Sequence, residues 1–391
     1  MSSLDAYIIS YNCGRELIKP AIFAPHILQA ATGRPDLIVF CLQEVAPISY
    51  AFLGGSFLSP YLDAFGTALQ LVDDDYVNVV THNIGLTAIM VFAKESISSH
   101  IESLELAATG VGFQETGHKG AAGVRMSYED VTLTFVSAHL AAGEEALERR
   151  NQDYQAIVER LVFDAASKDS QSSQQGERAH LVPREKGMYA SSHIIFAGDL
   201  NYRTSSQPPT EEDARQFPQP TRDPEDPQHW SHLFQHDQLT EQVRSKKTLQ
   251  HLSESTVDFP PTYKYKSSDD VLLDGEKPWP WASHRWPSWC DRIFYSAGVD
   301  PQAYEALPLF GTSDHRPVAL SASIPLKSSA VAASPYGLDP QWQTKRAAAR
   351  RKELAVGTIT YLTWTKEGAT LLLASVVGVL GFGFILRSIL V

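Results

Sequence analysis

Between residues 5 and 325 short apolar runs alternate with polar stretches, and the runs carry two different periods. AYIISYN (6–12), DLIVFCLQE (36–44), TAIMVFAK (87–94), LTFVSAHL (133–140), HIIFAGDL (193–200) and CDRIFYS (290–296) are brief, bounded by polar residues and rich in Val, Ile, Phe or Tyr. Each predicts a strand. Several are apolar at successive positions, which predicts strands covered on both faces. The stretch 144–165 differs: Leu147, Tyr154, Ile157, Val158 and Leu161 recur at helical spacing and predict a helix. Strands interleaved with helices predict a layered α/β fold. Two segments break the pattern. Residues 167–180 are Ser/Gln-rich and read as a flexible insertion, and 328–340 read as a linker.

The C-terminal pattern is of another kind. From Gly368 to Leu386 the chain has 19 residues without a charge, apolar on every side. At about 1.5 Å per residue such a helix spans about 28 Å, enough for a thin bilayer. The segment upstream, KRAAARRK (345–352), holds five basic residues, matching the bias of Lys and Arg toward the cytoplasmic side. The first ten residues lack the basic and long apolar parts of a secretory signal. The expectation is a tail anchor with the main domain in the cytosol.

Composition narrows the functions. Among 391 residues, 33 Lys and Arg stand against 45 Asp and Glu, a formal charge of −12. That argues against a general nucleic-acid binder, whose affinity rests on clustered cations. An anionic substrate still fits if a few basic residues converge. Cys13, Cys41 and Cys290 show neither disulfide nor zinc spacing, and read as small core residues in a reducing compartment.

Polar residues of catalytic type follow the apolar runs directly: Asn12, Glu44, His139, Asp199, Asn201, Asp291, Asp314 and His315. Any one of them has an ordinary reading as a cap, a turn or a satisfied core group. Eight at the ends of separate runs suggest one site, because open α/β layers present functional groups at strand ends. Oxygen donors without Cys or paired His favour Mg²⁺ over zinc. The chain has no GxxxxGK[ST] loop, no GxSxG elbow and no phosphate-cradling Cys. Metal-assisted hydrolysis by an activated water remains.

Ten strings then occur in order: YNCG (11–14), LQE (42–44), HKGAAGVRM (118–126), SAHL (137–140), RRNQDY (149–154), GDLNYR (198–203), LFQHDQL (233–239), FPPTYKY (259–265), RWPSWCDRIF (285–294) and SDHRPV (313–318). With them the chain resembles the inositol polyphosphate 5-phosphatases, within the magnesium-dependent endonuclease/exonuclease/phosphatase fold. GDLNYR, PPTYKY, PSWCDRI and SDHRPV are specific, since related nucleases share only the GDxN and SDH parts. The resemblance implies a DNase I-like two-sheet α/β sandwich over residues 1–326, followed by a linker with a basic stretch (327–367) and the anchor (368–386). The tail after a single catalytic domain resembles the tail-anchored fungal members of the endoplasmic reticulum.

The resemblance also implies roles. Glu44 would coordinate Mg²⁺ with Asn12 beside it. Asp199 would orient or deprotonate the attacking water, and Asn201 would hold the same phosphoryl group. His315, oriented by Asp291, would stabilise developing charge; His139 would contact the scissile phosphate, and Asp314 would lie near the metal. Lys119, His118, Tyr202, Arg203, Lys264 and Arg292 would face the inositol phosphates. His118 is a departure, since most of the family has Asn there. The implied reaction is Mg²⁺-dependent removal of the 5-phosphate from phosphatidylinositol 4,5-bisphosphate, by a catalytic domain expected to be monomeric. The rivals are soluble inositol polyphosphates as substrates, a nuclease of the same fold, and an inactive lipid-binding scaffold.

Overall fold

The structure, a computed structural model, describes residues 3–165, 187–266, 271–272, 278–327 and 332–390. The insertion expected at 167–180 lies outside the described residues. Among the described residues fifteen strands form, in chain order: β1 (Ser3–Asn12), β2 (Leu37–Gln43), β3 (Tyr76–Ile84), β4 (Thr87–Lys94), β5 (Ile101–Gly110), β6 (Gly120–Tyr128), β7 (Val131–His139), β8 (Asp164–Ala165), β9 (His193–Asp199), β10 (Leu252–Ser253), β11 (Val271–Leu272), β12 (Asp291–Ser296), β13 (Asp300–Ala306), β14 (Leu309–Phe310) and β15 (Val318–Pro325). One large sheet has the order β13-β15-β1-β2-β4-β3 and a second β10-β12-β9-β7-β6-β5-β8, while β11 and β14 pair in a separate two-stranded ribbon. Both large sheets are mostly antiparallel, with β1 and β2 parallel in the first and β7 and β9 parallel in the second.

The sheets pack face to face, and alternation along the strands builds the layers. In β1, Leu4, Ala6 and Ile8 enter the cluster between the sheets, while Tyr7, Ile9 and Tyr11 enter the cluster on the outer face. In β9, Ile195 and Ala197 face inward and Ile194 and Phe196 face outward. Helices cover both outer faces, among them Ser59–Gln70 on the first sheet and Leu147–Arg160 on the second. This covering explains why the strand runs are continuously apolar.

All six apolar runs are strands, within two or three residues of their expected bounds. The helix expected over 144–165 is shorter. It ends at Arg160, and Asp164–Ala165 turn away to pair with β5. β3, β5 and β13 were not anticipated, because their many half-exposed polar residues interrupt the apolar signal.

The segment expected as a linker is largely ordered. Residues 342–364 form a helix lying on the helix Ile48–Leu53. A Cβ on Gly357 would meet the Cβ of Phe52 at 2.9 Å, so the two helices approach at backbone distance there. Arg350 donates to the carbonyls of Phe52 (2.6 Å) and Leu53 (3.4 Å), and Glu353 is fully buried. The basic residues thus belong partly to a docking face. The chain then breaks at Thr365, which is extended, and a second helix runs from Lys366 to Leu390. Its span Lys366–Ser388 is long and apolar enough to cross a membrane. Leu373, Val379 and Leu380 on it are exposed.

Candidate active site

Strand register brings the chemistry together. In the second sheet, β7 and β9 run parallel with His139 opposite Asp199, while antiparallel β12 places Asp291 opposite Asp199 from the other side. Gly120 of β6 sits opposite His139, so Lys119 enters the same row. In the first sheet Asn12 ends β1 opposite Gln43, and Glu44 follows immediately. Asn12 joins the sheets, its Nδ2 donating to Asp199 Oδ2 at 2.9 Å. The close approach of β7 and β9 requires Gly198, since a Cβ there would lie 1.9 Å from the Ala138 carbonyl oxygen. Glu44 (φ 46°) and Asn201 (φ 58°) both adopt left-handed backbone just past strand ends, a costly conformation that turns their side chains into the cleft.

A cleft of about 430 Å³ results, with Asn12, Glu44, Lys119, Asp199, Asn201 and His315 on its walls. Arg203, Lys264 and Asp314 also line it. The buried carboxyl of Asp199 would rise in pKa through burial alone. His315, His139 and Lys119 around it hold it instead far below the usual carboxylate range. His139 Nε2 is 3.2 Å from Asp199 Oδ2, and Lys119 Nζ lies against the same imidazole nitrogen. Burial and Lys119 push His139 below its ordinary range, so it is neutral at pH 7. Burial likewise lowers Lys119, against the pull of Asp199 and Glu44.

His315 behaves oppositely. Its Nδ1 is 2.8 Å from Asp291 Oδ2, and its Nε2 is 3.9 Å from Asp199. Burial would lower it, but Asp291 and Asp199 hold it above the ordinary imidazole range, as an imidazolium. Burial raises Asp291, and His315 and Thr262 pull it back; Thr262 Oγ1 donates to Asp291 Oδ2 at 2.7 Å. Asp199, Asp291 and His315 each place a ligand-type atom within 4.8 Å of the others. With His315 carrying a proton, the trio suits charge stabilisation better than metal binding.

Glu44 suits a metal. Burial would raise its carboxyl, but His139, Lys119 and Arg15 hold it below the usual range, so it is ionised. Arg15 lies 2.8 Å and Lys119 3.8 Å away. Together with Asn12 and Asp199 it offers oxygen donors only, the set a hard cation such as Mg²⁺ prefers.

Asn201 Nδ2 donates to the Leu140 carbonyl at 3.1 Å, and its backbone N–H donates to Asp199 Oδ1 at 3.0 Å. Arg203 bonds Asn201 and places its guanidinium 4.2 Å over the Tyr263 ring. Lys264 is paired with Asp314 at the mouth, which raises the Lys264 pKa against the effect of burial.

Three expected substrate contacts are not brought to this cleft. Arg292 is fully buried and paired with Asp237 (2.9 Å) and Glu254 (2.5 Å). Strand alternation explains it: with Asp291 facing the site, the next residue of β12 must face away. Tyr202 is fully buried, donating its hydroxyl to Asn151 Oδ1 at 2.7 Å. His118 lines a neighbouring cleft of about 720 Å³ with Arg149 and Arg160, where burial and Lys119 lower it to about 4. Lys119 borders both clefts. Arg15 and Thr262 were missed. Arg15 lies three residues past Asn12 in the turn after β1, and the strand-end criterion extended by one turn would have found it. Thr262 sits inside FPPTYKY without a charge to mark it.

The family model for endonuclease/exonuclease/phosphatase family 2 matches residues 9–321. Inositol-1,4,5-trisphosphate 5-phosphatase 1 of Schizosaccharomyces pombe is 33% identical over 245 residues, 62% of this chain and 19% of that protein. The polyphosphatidylinositol phosphatase INP53 of Saccharomyces cerevisiae is 30% identical over 294 residues, 73% of this chain and 23% of its own length. The chain thus spans about a fifth of the length of these two curated relatives. The inositol polyphosphate 5-phosphatase domain of SPsynaptojanin, solved with inositol (1,4)-bisphosphate and a calcium ion, superposes with a TM-score of 0.65 at 25% identity, covering 90% of each chain. A Cimex nitrophorin shares the fold with a TM-score of 0.57 at 19% identity, covering 83% of this chain and 100% of its own. Since one fold carries such different proteins, the motifs and the site must decide between them. By the match over most of its length and the site strings that the matched region contains, the chain belongs to the inositol polyphosphate 5-phosphatase family of the endonuclease/exonuclease/phosphatase fold.

Proposed function

We propose that the protein is a Mg²⁺-dependent phosphatase that removes the 5-phosphate from phosphatidylinositol 4,5-bisphosphate, acting on the cytosolic face of the endoplasmic reticulum. The observation that carries the reading is the pairing of an ionised Asp199 with an imidazolium His315, 3.9 Å apart in one cleft beside the oxygen donors of Glu44 and Asn12. Asp199 accepts a hydrogen bond from the attacking water and aims it at phosphorus. A carboxylate held so far below its ordinary range is a weak base, so orientation is its main contribution. His315, steered by Asp291, donates from Nε2 to the phosphoryl oxygen as negative charge builds. Asn201 and Lys119 hold the remaining oxygens, and His139, fully buried behind them with its Nε2 against Lys119 and Asp199, positions those two groups. Mg²⁺ bound by Glu44, with Asn12 beside it, would supply Lewis-acid neutralisation of phosphoryl charge. Arg203 and Lys264, at the wall and mouth, take the other inositol phosphates.

The membrane assignment rests on the exposed apolar helix 366–388 and its basic upstream flank. Confinement to a bilayer raises the effective concentration of a lipid substrate, which favours phosphoinositides over soluble inositol phosphates. The test is phosphate release from each phosphoinositide in vesicles and from soluble inositol trisphosphate, with chelator and with Mg²⁺ restored. The expected outcome is loss in chelator, recovery with Mg²⁺, and a sharply raised Mg²⁺ requirement for Glu44→Ala. Undiminished turnover in excess chelator would overturn the mechanism.

A further inference from the structure

Glu353 is a fully buried carboxylate outside the region that the family model matches. Its Oε1 accepts the Gly117 backbone N–H at 2.8 Å and Arg346 Nη1 at 2.9 Å. Its Oε2 lies 3.3 Å from Arg346 Nη2 and 3.5 Å from Arg350 Nη1. A buried carboxylate is costly unless its lone pairs are filled, and removing its partners leaves an uncompensated charge. Here three donors fill it: two arginines from its own helix, and one amide from the catalytic domain. The amide belongs to the loop that ends in Lys119.

From Gly117 the hydrogen bonds continue into the cleft. Gly117 accepts from Leu86 N at 3.0 Å, and Leu86 accepts from Val45 N at 3.2 Å. Val45 is the neighbour of Glu44. The same carboxylate therefore braces both walls: Lys119 lies two residues along the chain from its contact, and Glu44 lies one residue beyond the second link. Lys119 and Glu44 are 3.8 Å apart across the cleft.

We propose that Glu353 is a positioning residue for the active site, and that the helix 342–364 is a strut locking the Lys119 loop and the Glu44 turn in working register. The inference rests on the phosphatase reading for its kinetic part only. The strut also ties that loop to the helix that precedes the apolar segment, through residues the motifs do not include.

The experiment uses the full chain in detergent, comparing wild type with Glu353→Ala, Glu353→Asp and Glu353→Gln. Amide hydrogen exchange is followed over 111–119 and over β1 and β9. Turnover of a soluble short-chain phosphatidylinositol 4,5-bisphosphate is followed alongside, so that orientation on a bilayer plays no part. Glu353→Ala is expected to speed exchange in 111–119 with β1 and β9 unchanged, and to lower kcat by at least about 10-fold with a smaller change in KM, since small misplacements of catalytic groups have effects of this order. Glu353→Gln keeps an acceptor for Gly117 N and should restore kcat to within about 3-fold. Glu353→Asp keeps the charge but withdraws it by one methylene; it should resemble Glu353→Ala, and it carries the test if that variant does not fold. Unchanged exchange in 111–119, or faster exchange with kcat unchanged, overturns the proposal. If the wild type releases no phosphate, the functional reading fails while the exchange measurement still decides whether the strut braces the loop.

Discussion

Asp199 and His315 lie in the same buried cleft with opposite charges, and each keeps the other ionised. Replacing either by Ala is expected to cut kcat by at least about 10²-fold, the usual cost of removing a charge-stabilising or water-orienting group. The fold should survive, as judged by circular dichroism, since both side chains face a cleft. An active, folded Asp199→Ala protein would remove the assignment. The pH profile follows from the sign of the His315 shift. A pKa raised by Asp291 and Asp199 means the imidazolium is complete at neutral pH and is lost only as pH rises through the raised value. The alkaline limb of kcat should therefore lie above the ordinary imidazole range of about 6.5. The stability contributed by the His315 shift has the same sign: full below the ordinary imidazole pKa and lost as pH rises through the raised one. Asp291→Asn removes the nearest carboxylate, so the limb should move toward lower pH by about one unit or more. A limb that stays in place in Asp291→Asn would show that Asp291 does not set the His315 charge.

The next scale is set by strand register. β7, β9 and β12 align His139, Asp199 and Asp291 in one row, and the row depends on Gly198 passing within contact of Ala138. Gly198→Ala should push β7 and β9 apart and destabilise the protein by about 1–3 kcal/mol or more, the range for overpacking a dense interior. Urea unfolding would measure it, and a loss below about 0.5 kcal/mol would mean the strands readjust freely, since changes that small are typical of surface positions. The same register decides which residues cannot act. Arg292 alternates away from Asp291 and closes an ion-pair network with Asp237 and Glu254. Arg292→Ala is therefore expected to lower the melting temperature, because it strands two buried carboxylates. For molecules that remain folded, kcat/KM toward substrate should stay within a few-fold. A selective rise in KM without loss of stability would return Arg292 to the substrate site.

Across the whole molecule, a layered catalytic domain is joined to an apolar helix by a docked helix and a one-residue break at Thr365. Deleting residues 367–391 removes the apolar helix and leaves the docked one intact. If the proposed anchor holds, the truncated protein should leave membranes while still hydrolysing a short-chain phosphoinositide, because residues 367–391 contribute nothing to the cleft. A fluorescent fusion followed before and after the deletion, with protease treatment of isolated membranes, reads both parts. A truncated form that stays membrane-bound, or a catalytic domain protected in the lumen, would overturn the anchor reading.

The strands that carry the site were legible because their signal is local: a continuous apolar run followed at once by a polar residue of catalytic type. So Asn12, Glu44, His139 and Asp199 could be named from the chain alone, as could the apolar segment 368–386, whose composition needs no context; Asp291 opens β12 and His315 precedes β15, so the strings around them, not the strand-end signal, marked them. Facing was not legible. Arg292 and Tyr202 stand next to site residues in sequence, yet pleating and a left-handed turn send their side chains into the core. The docking of residues 342–364 was not legible either. A run of basic residues reads as solvated until tertiary structure supplies what they neutralise: a buried Glu353 whose third partner, Gly117, lies 236 residues away. Local composition determined which residues carry the chemistry. Which of them meet, and what holds them there, was decided by register between strands and by contacts far apart in the chain.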